Sequence, residues 1–192
     1  MQAIIGLLIL AFAEAVVVVG PAYPPNAVAG GTVVAALKIA AGAVERIEIL
    51  QADAPFAHPV QAALSGWRFT PGTEAALVVV NYRTANLYSV GSPSHSIKAA
   101  KTVGGLPYPR TVIEPPYPPN SLAEGSVVLR LAVDRNGSVA RIRVLQGLGD
   151  FTSACAATVR QWRFAPAKND KGTSIASEAY AVFTVRRPIL AR

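Results

Sequence analysis

Polar and apolar residues alternate from Ser126 to Asp134. Val127, Leu129, Leu131 and Val133 share one face, with Arg130 and Asp134 on the other. A period of two predicts a half-buried strand. Asp134-Arg135-Asn136-Gly137 follows, and Asn-Gly signals a hairpin because both residues tolerate positive φ. Val139 to Gln146 reads as the return strand, with Ile142 and Val144 facing one way and Arg141 and Arg143 the other. The period then changes. Phe151, Cys155, Val159 and Trp162 recur at helical spacing, which predicts a helix from about Asp150 to Trp162 with Asp150 as its N-cap. Arg163-Phe164-Ala165-Pro166 stops the helix. A third strand, rich in Tyr, Val, Phe and Thr, runs from Ser177 to Arg187.

The same order occurs once before. Tyr23-Pro24-Pro25-Asn26 returns as Tyr117-Pro118-Pro119-Asn120, and Gly31-Thr32-Val33-Val34 returns as Gly125-Ser126-Val127-Val128. Arg46 to Gln51 returns as Arg141 to Gln146, and Trp67-Arg68-Phe69-Thr70-Pro71 as Trp162-Arg163-Phe164-Ala165-Pro166. The spacing is 94 residues before the first hairpin and 95 after it. One residue near Asn136 has no counterpart in the first copy, whose turn is Ala40-Ala41-Gly42. A length change at a turn is readily tolerated. The first copy repeats the helical stripe as Phe56, Val60, Leu64 and Trp67, and its third strand spans about Ala75 to Leu87. The expected fold is α+β: two tandem β-β-α-β modules, each a three-stranded antiparallel sheet packed on one helix. Residues 20–90 form the first module and 116–192 the second. Residues 91–115 are a linker by their Ser-Pro, Gly-Gly and Pro-Tyr-Pro content.

The first twenty residues are almost entirely apolar, with Glu14 as the one charge. Residues 1–19 read as a signal peptide, with Ala13-Glu14-Ala15 as an A-x-A cleavage pattern. No Lys or Arg precedes the apolar run, so a membrane anchor is the alternative. A buried N-terminal strand is a third. Either of the first two exports the chain.

Composition narrows the chemistry. Hydrophobic residues make up 52% of the chain and charged residues 15%, which suits a packed core. The net charge of +7 favours anionic partners, but the basic residues are scattered. Arg130, Arg141 and Arg143 form a candidate basic patch. It lacks interleaved aromatic residues, so nucleic acid is not expected. The single cysteine, Cys155, excludes an internal disulfide and a Cys-based zinc site, and its place on the helical stripe makes it a buried hydrophobe. His58 and His95 are far apart, so no metal site is expected, and no cofactor-binding motif occurs. Ser94-His95-Ser96 lies in linker sequence without a positioned acid. Trp67 and Trp162 each close a helix and are read as core. No catalytic residues are assigned, and the chain is read as not an enzyme.

Tyr117-Pro118, Gly125-Ser126-Val127, the Asp134 to Gly137 turn and Trp162-Arg163-Phe164-Ala165-Pro166 together resemble the TonB C-terminal domain family. The first copy matches at Tyr23-Pro24, Gly31 and Trp67 to Pro71, without the turn Asp. The resemblance implies a periplasmic, non-enzymatic protein–protein module that offers its third strand to a short peptide, such as one from an outer-membrane transporter. Strand addition would supply the affinity. The residues so implied are Tyr180, Ala181, Val182, Phe183, Thr184 and Val185, with Val78, Val79, Val80, Asn81 and Tyr82 in the first copy. Two alternatives stand beside an envelope adaptor. One is a membrane-anchored TonB-like transport component, with membrane contact through residues 1–19. The other is an envelope enzyme with an unrecognised site. Residues 1–20 contain no His, and the first module starts directly after them, which points to an adaptor. The oligomeric state is left open.

Overall fold

The structure, a computed structural model, describes residues 14–27, 29–84, 94–96, 105–117 and 123–186. In chain order its elements are β1 (Ala15–Val17), β2 (Gly31–Ala40), β3 (Ala43–Ala52), α1 (Ala57–Ser65), β4 (Arg68–Phe69), β5 (Ala75–Thr84), β6 (Ser94–Ser96) and β7 (Tyr108–Ile113). There follow β8 (Gly125–Val133), β9 (Val139–Gln146), α2 (Gly149–Val159), β10 (Arg163–Ala165), β11 (Ala167–Lys168), β12 (Ser174–Ile175) and β13 (Ser177–Arg186).

The alternating segments fold as their pattern requires. β8 and β9 form the expected antiparallel hairpin. Its turn is tied by Asp134, whose Oδ1 accepts the N–H groups of Asn136 (2.8 Å) and Ser138 (2.9 Å). β2 and β3 pair in the same way, through a tighter turn in which Ala41 and Gly42 both have positive φ (49° and 77°). Two consecutive positive φ values suit the right-handed twist of the flanking strands. Both helical stripes are core: Phe56, Val60, Leu64, Trp67, Phe151, Cys155, Val159 and Trp162 are buried. Asp150 is not the N-cap. It lies in the first turn of α2, Leu148 is the N-cap, and the Leu148 N–H is taken by Thr152 Oγ1 at 2.6 Å.

The sheet differs from the expected pair of separate three-stranded sheets. The strand order is β1-β4-β3-β2-β5-β13-β8-β9, one sheet of eight. The trios β3-β2-β5 and β13-β8-β9 are present within it, and β5 and β13 join them in parallel over eight residue pairs, from Leu77↔Ala179 to Thr84↔Arg186. The reason lies in composition. Leu77-Val78-Val79-Val80 and Ala179 to Phe183 are apolar on both faces, as expected of strands covered on both sides. A module standing alone would leave one of those faces wet.

The helices cover opposite faces of the joined sheet. α1 packs over a core that includes Val33, Ala35, Leu37, Val78 and Val80 from its own half, with Val128, Tyr180 and Val182 from the other. α2 packs over Val127, Leu129, Leu131, Ala181 and Phe183, with Val34, Leu77 and Val79 from the first half. Each third strand therefore supplies one face to its own helix and the other face to its neighbour's core. The halves are related by a pseudo-two-fold axis running along the strands.

The expected boundaries shift as well. Residues 14–20, expected within or beside a leader or anchor, are part of the folded first half. Ala15 is buried and pairs with Phe69, Glu14 N–H meets Thr70 Oγ1 at 3.1 Å, and the Val19 carbonyl accepts the Trp67 indole N–H at 2.9 Å. Residues 1–13 lie outside the described residues. The expected linker 91–115 ends in β7, which pairs with β10 and buries Tyr108 and Val112. Ile113 O accepts the Trp162 indole N–H at 2.9 Å, the counterpart of Val19 and Trp67. No helix among the described residues is long and apolar enough to cross a membrane.

Candidate functional site

All eleven residues expected to receive a partner strand lie in the centre of the sheet. Tyr180, Val182, Thr184, Val78, Val80 and Tyr82 point to the α1 side, and Ala181, Phe183, Val185, Val79 and Asn81 to the α2 side. Each is at most 2% exposed. β13 is hydrogen-bonded to β8 and β5, and β5 to β2 and β13. Neither third strand is an edge, which corrects the expectation of two open edges there. Each has a strand partner, supplied by the other half of the same chain.

Among the described residues, the second strand of each trio is the one with a largely unpaired side. β9 pairs with β8 on one side. On its other side, among the described residues, only the preceding Ser138 makes a bridge, to Arg163. β3 likewise meets β4 at Ala43 alone. β9 is one of the two terminal strands of the sheet and belongs to the half that carries the more regular repeat. It exposes Arg141, Arg143 and Val144, the last to 46%. The expected basic patch is partly neutralised by two carboxylates. Arg130 Nε bonds Glu178 Oε2 at 3.0 Å, Glu14 lies 3.6 Å from the Arg130 guanidinium, and Glu14 also pairs with Arg143.

A second cluster gathers where β5 and β13 end. Thr32 Oγ1 donates to Asn81 Oδ1 at 2.8 Å, and the corresponding hydroxyls of Ser126 and Thr184 lie 2.9 Å apart. Two arginines extend these strand ends. Arg83 forms an ion pair with Glu114, both well buried at 5% and 14% side-chain exposure. The Arg186 guanidinium donates to the carbonyls of Pro25 (3.3 Å) and Ala27 (2.5 Å) and stands 4.7 Å over the Tyr23 ring. A cleft of about 750 Å³ opens beside Arg186, between residues 18–23 and Ser126, Gln146 and Thr184. This cluster was not anticipated. Its signal was an Arg directly after each third strand's last buried apolar residue.

Cys155 is fully buried, and burial pushes its thiol well above the ordinary range, so the thiolate a nucleophile requires is suppressed. His58 is an exposed residue of α1, and the side chain of His95 lies outside the described residues. No cluster of three or more His, Cys, Asp or Glu side chains that could hold a metal occurs among the described residues.

No curated protein and no solved structure matches this chain. A family model does, over the segment that runs from the end of β7 through β8, β9 and α2 to β13. Residues 114–184 match the family described as Gram-negative bacterial TonB protein C-terminal, so that segment is similar to a TonB C-terminal domain.

Proposed function

We propose that this chain is a non-enzymatic protein–protein interaction module of the Gram-negative cell envelope, facing the periplasm, and that it takes a partner segment along the outer edge of β9. The family match supports the envelope and the interaction role. The single observation that carries the choice of strand is the sheet order. The third strands are consumed by each other, and β9 ends the sheet in the half that matches the family. Main-chain N–H and C=O groups along such an edge are available to an added strand. The partner class is an envelope protein or peptide, with a peptide of an outer-membrane transporter as the type that the family resemblance suggests.

Site-specific photocross-linking tests the reading. A photoreactive residue in place of Val144 on β9 should capture discrete envelope proteins in intact cells. The same residue in place of Ile175, exposed on the separate β12 hairpin, should not. Equal capture from both positions, or none from Val144, rejects β9 as the docking edge.

A further inference from the structure

The pseudo-symmetry of the two halves places equivalent residues side by side, and one pair has lost its match. Arg83 follows Tyr82, which stands opposite Gly31, and Arg186 follows Val185, which stands opposite Gly125. Gly31 and Gly125 are repeat equivalents, so Arg83 and Arg186 are as well. Each reaches the extended segment that enters the other half. For Arg83 that segment supplies a carboxylate, Glu114, immediately before Pro115-Pro116-Tyr117. The equivalent position before Pro21-Ala22-Tyr23 is Gly20. It has no side chain and no room for one. A Cβ there would stand 2.3 Å from Ser126 Cβ.

Arg186 is thus left with two neutral carbonyls and an aromatic face. A guanidinium has five N–H donors and prefers a carboxylate, which it can engage with two parallel bonds. Among the described residues no carboxylate forms an ion pair with Arg186. The cleft of about 750 Å³ lies where such a group would enter.

We propose that the cleft beside Arg186 receives an acidic side chain carried by an extended peptide of a partner protein, in the role that Glu114 plays for Arg83. Three observations favour a peptide. The cleft is walled on one side by residues 18–23, which lie outside any helix or strand. The chain's +7 charge suits an acidic partner. Gln146, the last residue of β9, lines the cleft, so the cleft opens at the end of the proposed docking strand. Arg186 is the cationic side chain in the lining, which makes its side the seat for an anion. The proposal takes its partner class from the interaction reading above, but its test does not depend on strand addition.

The full chain, labelled with ¹⁵N, is titrated with acetyl-Ala-Val-Glu-Val-Ala-amide and with the same peptide carrying Gln for Glu. The Arg186 Nε–H and Trp67 indole signals are followed by NMR. The Glu peptide should shift both and bind at least about tenfold more tightly than the Gln peptide, the scale of a charge-assisted pair over a neutral one. Arg186→Gln should abolish that preference, and Arg186→Lys should restore part of it. Equal binding of the two peptides overturns the proposal and needs no variant to fold. A preference that survives in Arg186→Gln overturns it too. Sodium acetate reproducing the shifts at equal concentration assigns the cleft to small carboxylates and removes the peptide. Loss of the Glu preference alongside intact cross-linking from Val144 rejects the cleft and keeps the interaction reading. Loss of both rejects both.

Discussion

Val182 lies beside Val80 in parallel register, and both side chains sit in the core beneath α1, although they come from opposite halves of the chain. A core shared in this way cannot be dismantled one half at a time. The two tryptophans allow a direct check, because Trp67 and Trp162 are the chain's only ones and each is fully buried in its own half. Single-tryptophan variants made by Trp67→Phe and Trp162→Phe should report urea unfolding by fluorescence with midpoints that move together when a seam residue is changed. Phe183→Ala should cost about 3–5 kcal/mol and be seen equally by both probes. Separate transitions, one of them insensitive to Phe183→Ala, would show two independent domains.

The local patterns were legible where one face is wet. β9 occupies Val139–Gln146, as its alternation indicates, and both helical stripes are core. The joining of the halves was not legible for a related reason. Val78-Val79-Val80 does not alternate, and an unbroken apolar run announces two buried faces without naming what covers the second. β1 was only the third reading of the N-terminal segment, because Ala15 to Val17 continues an apolar run that also suits a leader. β7 was hidden by Pro109, which weakens the strand signal and matches linker composition. The Arg186 cleft could not be read from local sequence, since its residues come from four separate stretches. The hints were the Arg that follows each third strand's last buried apolar residue and, in the repeat, Gly20 in the place of Glu114.

Gly137 has φ of 83°, and a Cβ at this position would meet the Phe164 carbonyl oxygen at 1.9 Å. The approach is close because Phe164 N–H donates to Gly137 O at 2.8 Å, as Phe69 N–H does to Gly42 O. Gly137→Ala should therefore destabilise by about 1–3 kcal/mol from backbone strain alone, with the clash in addition. Gly42→Ala should behave alike, with a Cβ 2.6 Å from Phe69 O. Gly172→Ala is the control, since nothing lies within 4 Å of its Cβ position and φ is 76°. It should show the strain without the clash. Urea midpoints rank the three, and Gly172→Ala matching Gly137→Ala would remove the close-approach argument.

Val19 and Ile113 hold equivalent tryptophans by one hydrogen bond each, so the N-terminal segment should matter as much as the segment between the repeats. Trp67→Phe and Trp162→Phe each lose that bond, at a cost of about 0.5–1.5 kcal/mol beyond the change in packing. A chain begun at Pro21 loses the Val19 carbonyl, the burial of Ala15 and the Glu14 contacts together, and its melting temperature should fall further than that of Trp67→Phe. Calorimetry on the three proteins tests this. A chain begun at Pro21 that melts with the full chain would mean that residues 14–20 only rest on the surface.

Alkaline pH should destabilise the protein through its buried thiol and phenols. Burial pushes Cys155 and Tyr82 well above their ordinary ranges and Tyr180 up to about 12. All three are neutral when protonated, so the native state holds protons that the unfolded chain gives up more readily. A raised native pKa contributes full stability below the unfolded value and loses it as pH climbs toward the native one. The loss should begin near pH 9, where an unfolded cysteine ionises, and steepen above pH 10 as the unfolded tyrosines follow. Urea unfolding from pH 7 to pH 10.5 should show a flat region and then a decline. Cys155→Ala should lower stability throughout by leaving a small void, while delaying the onset of the decline. In the native protein Cys155 should resist a thiol reagent at pH 8.5 and react once urea passes the midpoint. Rapid native-state labelling would contradict the buried thiol on which this ordering rests.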